Sequence, residues 1–179
     1  MKATHIAIAA LSVFIIASFF LIPKGQPAQK KAVLSDFDAR ILSSGRLNQS
    51  LLKAQHIHAD FAVFANGKQV DFNKSAYYGK SAFLHMEPDD DGSTGKKLHM
   101  HSTNVPLWVF FESIGMEFGR QCLVAETKDC GNVMLFVNGT QNNGYGDYVF
   151  GNGDRILITA NPKDIDGEKA IVTSYSEKQ

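Results

Sequence analysis

The chain has no excess of charge of either sign, since eighteen basic residues balance eighteen acidic ones. With no basic stripe carrying interleaved aromatics, nucleic acid is not an expected partner. Cysteine is scarce as well: Cys122 and Cys130 are the only two. They are too far apart for the C-x-x-C of a dithiol redox centre and read as a structural disulfide in an oxidising compartment. Serine, aspartate and histidine occur in no nucleophile-elbow context. The acidic "EPDDDG" at residues 87–92 lacks the spacing and terminal glutamate of a calcium loop and reads as a solvated turn.

Long apolar runs are also rare, with a single one at the N-terminus. Residues 6–22 are uncharged and almost all apolar, near the length a helix needs to cross a hydrocarbon core of about 30 Å. Residues 1–23 are therefore expected to be a transmembrane anchor, or else a signal segment. The run ends in "SFFLIP", a poor cleavage site, which favours the anchor. Lys24, Lys30 and Lys31 after the span argue for a cytoplasmic domain. The cysteine pair and three N-x-S/T triplets at Asn48, Asn73 and Asn138 argue for the opposite side. The expectation is a single-pass membrane protein with its domain extracytoplasmic.

Residues 24–55 read as a stalk or linker with a weak helical face of Leu34, Phe37, Ile41 and Leu42, interrupted at Gly45. The domain is expected over residues 56–160. Asn66-Gly67 and Asn138-Gly139 each sit between apolar runs, the signal for a hairpin whose two central residues take positive φ. Between them, Leu107, Phe110, Phe111 and Ile114 recur at helical spacing, with Thr103 or Asn104 as cap, Pro106 in the first turn and Gly115 as the stop. The segment "YVFGNGDRILITA" is a tight turn feeding a β-branched strand. The fold class is α+β, a mixed sheet with one packed helix, and residues 161–179 form a polar tail, either a loosely attached strand or disordered.

This order of elements is similar to the β-grasp (ubiquitin-like) fold, in which a helix crosses a sheet between two hairpins and a G-D turn precedes the last strand. The linked motifs "HIHADFAVFANGK", "HMH", "FFESIGM", the two cysteines, "LFVNG" and "DRILI" span residues 56–159. Together they resemble membrane-anchored proteins predicted in archaea and in little-studied bacterial lineages. That group has no established activity, so the resemblance implies the anchor and the paired histidines but no catalytic residue.

Four of the six histidines fall in two H-x-H pairs, His56 with His58 and His99 with His101, where random scatter gives roughly 0.2 such pairs. In a strand, residues i and i+2 point to one face about 6.6 Å apart, so both rings of a pair can reach one ion. If the two strands are neighbours, four imidazoles converge. His85 is a reserve ligand, with Glu87 and Asp60 as oxygen alternatives. Imidazole donors suit Zn, Cu(II) or Ni, with Cu or Zn the expected ion. Met86 and Met100 would invite Cu(I), but Met100 faces away from its flanking histidines and is expected in the core.

"HIHADF" matches the H-x-H-x-D core of metallo-β-lactamases. Phe61 stands where that family has a histidine, and a cupin would need a glutamate where Ala62 and Val63 stand. The reading is therefore a metal-binding domain rather than an enzyme. A non-enzymatic module that docks an envelope protein, with incidental histidines, is the alternative, and a metal-dependent hydrolase using Asp60 or Glu87 as base is a third.

Overall fold

The computed structural model describes residues 34–88 and 94–176, which belong to one compact unit, residues 32–179. The expected anchor at 1–23 and most of the acidic turn at 87–92 lie outside the described residues. No helix among the described residues is long and apolar enough to cross a membrane.

The main sheet is built from β1 (Ala54–Ala65), β2 (Lys68–Gln69), β3 (Leu84–His85), β4 (Lys97–Ser102), β8 (Val133–Val137), β9 (Thr140–Asn142) and β10 (Asp154–Ala160). Its order is β3-β4-β1-β10-β8-β9, with β2 paired to the far end of β1. At the centre, β1 and β10 run parallel, while β4 on one side and β8 on the other run antiparallel to them. A second, three-stranded sheet joins β5 (Glu117–Phe118), β6 (Cys122–Val124) and β7 (Lys128–Cys130). Three α-helices are found among the described residues: α1 (Asp36–Ser43), α2 (Leu107–Ser113) and α3 (Ile165–Ser176).

Both asparagine-glycine turns are where the sequence puts them. Asn66 and Gly67 have φ of 52° and 74°, and Asn138 and Gly139 have φ of 52° and 82°. The flanking residues pair directly, Ala65 with Lys68 and Val137 with Thr140, so each loop is two residues long as positive φ at both centres requires.

Strand alternation sorts the core onto two faces. On one face Phe61, Val63, Leu98, Met100, Leu135, Ile156 and Ile158 pack with Leu107, Phe110 and Phe111 of α2. The rings of Phe61, Phe72, Phe110 and Phe111 interlock with centroids 5.4–6.0 Å apart, the spacing that edge-to-face aromatic pairs favour. On the other face Ala62, Phe64, Phe136 and Leu157 meet Val172, Ile165 and Tyr175 of α3.

Four features differ from the sequence reading. The tail is helical over α3 rather than a strand or disordered. The described part of the stalk, residues 34–55, is not separate from the domain, residues 24–33 lying outside the described residues: Ile41 is buried, Phe37 and Leu42 pack on the main core, and β1 already begins at Ala54. Pro106, not Thr103 or Asn104, occupies the N-cap position of α2. The Thr103 hydroxyl and the Asn104 amide instead donate to the Leu51 carbonyl at 2.8 and 2.9 Å, pinning the end of β4 to the chain entering β1. A second sheet and two further helices also join the expected sheet and helix. The Cys122–Cys130 disulfide is formed and links residues that stand directly opposite each other on β6 and β7.

Candidate metal centre

His56 and His58 lie near the start of β1, and His99 and His101 lie on its neighbour β4. The antiparallel register sets His58 opposite His99, and β3 sets His85 opposite His99 from the other side. Three strands thus bring imidazoles to one level of one sheet face. It is the face whose far end is covered by α3, because Ala62 and Phe64 follow His58 at even spacing and pack in the α3 layer. A one-residue register shift between Ala54 and Ile57 marks a β-bulge at the mouth of the cluster, a device that re-aims side chains at sheet edges.

All five histidines of the described residues share this cluster. His56 stacks on His101 with ring centroids 4.6 Å apart, and His101 stacks on His85 at 4.9 Å. His58 meets His56 and His99 edge-on at 4.6 and 4.5 Å. One ligand atom from each of His56, His99 and His101 lies within 4.8 Å of the others, a set that could hold a metal ion. His58 Nε2 is 2.9 Å from His56 Nε2, and His58 adjoins the triad through that ring. Two imidazole nitrogens this close must share a proton or a cation, since two facing lone pairs repel.

Burial grades across the cluster. His56 is exposed, His58, His85 and His101 are half-buried and His99 is buried, so the site has an exposed mouth and a buried floor. His101 Nε2 is buried and has no hydrogen-bond partner among the described residues. Burial, reinforced by the neighbouring His85 and His56, lowers the His101 pKa from its ordinary value to about 4, with Glu87 opposing. His101 is therefore neutral at physiological pH, the form that binds metal.

Of the oxygen alternatives, Glu87 reaches the cluster: its Oε1 is 3.1 Å from His99 Nδ1 and its Oε2 is 3.6 Å from His85 Nε2. Asp60 is buried one step further along the same face and stands across the register from Lys97. Both methionines are fully buried in the α2-side core, as expected of Met100, so no thioether joins the histidines.

Sequence reasoning found every histidine of the cluster but missed what holds His58. The His58 amide donates to Asn152 Oδ1 at 3.1 Å, and the Gly153 amide donates to the His58 carbonyl at 2.8 Å. The Gly-Asn-Gly-Asp turn thus clamps the strand beside the site. Comparison with protein-family models, with curated proteins and with solved structures finds no match to this chain. What the geometry defines is an α+β domain with a histidine cluster at the open end of its sheet.

Proposed function

We propose that this chain is a membrane-tethered, extracytoplasmic domain that binds one transition-metal ion, Cu(II) or Zn(II), through histidines of its two H-x-H pairs. The single observation that carries the reading is the convergence of His56, His99 and His101, with His58 Nε2 against His56 as the fourth nitrogen. An all-imidazole set suits Zn, Cu(II) and Ni, and the absence of a thioether ligand argues against Cu(I). The tether is supported by the apolar run at residues 6–22 and the extracytoplasmic side by the cysteine pair. The β-grasp resemblance belongs to the same proposal, supported by first and last strands that lie parallel at the sheet centre with α2 on one face.

The test is calorimetric titration of the detergent-solubilised full chain with Zn(II) and Cu(II), beside the His99→Ala/His101→Ala double variant. The parent is expected to bind stoichiometrically, with affinity falling as pH drops through about 6.5 while imidazoles protonate. The double variant is expected to lose at least about tenfold in affinity, the lower bound expected even for a supporting group. Equal affinity in both proteins removes the reading in favour of an envelope-interaction module.

A further inference from the structure

We infer that α3 is a releasable strap: it leaves the sheet as a unit while the rest of the domain stays folded, and the buried carboxyl group of Glu168 keeps its docking weak. Release bares Ala62, Phe64, Phe136 and Leu157, an apolar strip on the face that carries the histidines. The strap stands whether or not those histidines hold a metal.

The docked face of α3 is thin. Val172 is its buried apolar side chain, Ile165 and Tyr175 are half-buried, and Ile171 stays 37 % exposed. Between Ile165 and Val172, where the helical repeat calls for another apolar residue, stands Glu168, 4 % exposed. Both of its carboxylate oxygens are buried without a hydrogen-bond partner among the described residues, and so is the Thr159 hydroxyl of β10. Burial raises the Glu168 pKa above its ordinary value; the nearby Thr159 hydroxyl offsets part of this without meeting hydrogen-bond geometry, and Asp164 adds to it. The sheet below offers no relief. Thr159 is flanked there by Phe64 and Met134, and the Lys169 ammonium lies over the Phe136 ring, 4.2 Å from its centroid. A polar group desolvated without a partner costs more than an ordinary hydrogen bond returns.

The segment is also built to move as one piece. The Gly167 amide donates to Asp164 Oδ1 and the Glu168 amide to the Asp164 carbonyl, both at 3.0 Å, so the first turn is capped from within the segment. Just before it, Asn161 takes a left-handed φ of 51° and Pro162 follows, where the chain turns off β10. At the other end the ties lie at the rim: the Gln69 side-chain amide donates to the Tyr175 hydroxyl at 2.6 Å, and the Lys96 ammonium sits 5.5 Å from that ring. The strands beneath have support of their own, since β1 and β10 pair with each other and their opposite face packs against α2. An element with so few buried apolar contacts opens below the free energy of global unfolding.

Hydrogen exchange of the full chain in detergent, read residue by residue, tests the strap beside Glu168→Leu. In the parent, amides from Lys169 to Thr173 are expected to share one protection factor, at least about tenfold below those of β1 and β10, as opening in one unit requires. Glu168→Leu is expected to raise that shared factor at least about tenfold and to leave β1 and β10 unchanged. Trypsin cleavage after Lys169, inside the helix, is expected to slow in step. Protection that falls off gradually toward Ser176 would mean fraying of the end, and protection equal to that of β10 would mean opening only with the whole domain. Either result overturns the strap. An α3 protection factor left unchanged by Glu168→Leu, or raised together with those of β1 and β10, overturns it as well.

Discussion

At the scale of the residue, His101 is the most informative member of the cluster. Burial lowers its pKa in the folded chain from 6.5 to about 4, so between these values the unfolded chain binds more protons than the folded one. Metal-free stability therefore rises with pH across this window and is lost as pH falls from about 6.5 toward about 4. Chemical denaturation of the metal-free chain at pH 7 and pH 5 is expected to give a lower midpoint at pH 5, and His101→Gln is expected to flatten that dependence. An unchanged midpoint, or a slope that survives the substitution, would show that His101 is not buried as described. The pairs themselves were legible in the sequence because period two is local: His56 and His58, or His99 and His101, share a face in any strand. The contact of His58 with His99 was not legible, since register between strands about forty residues apart is a tertiary property. His85 could be named only as a reserve, because it lies on a two-residue strand too short to show alternation.

At the scale of the element, turns and the central helix could be read in advance because their signals are stereochemical. Asn-Gly at positive φ and an aromatic stripe at i, i+3, i+4 leave few alternatives. Helix α3 could not, because Glu168 sits within its apolar face beside Ile165, Val172 and Tyr175 and hides the period. Glu168 is 4 % exposed, and burial raises its carboxyl pKa. Helix α1 was read as part of a stalk since only its Ile41 and half-buried Phe37 and Leu42 are apolar contacts. What docks it is polar: Asp38 serves the capping box with Ser35 and binds Ser81 and Ala82. Replacing Asp38 with alanine strips the buried Ser81 hydroxyl and the half-buried Ala82 amide of their acceptor and is expected to cost about 2–3 kcal/mol in a denaturation experiment. A loss below about 0.5 kcal/mol would mean that α1 does not hold that loop.

At the scale of the whole molecule, the sequence made the α+β class legible, including a sheet that mixes parallel and antiparallel pairs. The second small sheet escaped because its strands are only two or three residues long, and the Cys122–Cys130 bridge is what spans it. The side of the membrane is a separate proposition from the fold. With the domain extracytoplasmic, protease added to intact cells is expected to digest it, whereas protection until lysis would reverse the assignment. The central claim is that imidazoles from neighbouring strands hold a metal. X-ray absorption at the zinc edge, on the full chain carrying one equivalent of Zn(II), tests it most directly. The expected spectrum shows nitrogen at about 2.0–2.1 Å with the outer-shell scattering of at least three imidazole rings. A shell dominated by oxygen, without imidazole scattering, would contradict it.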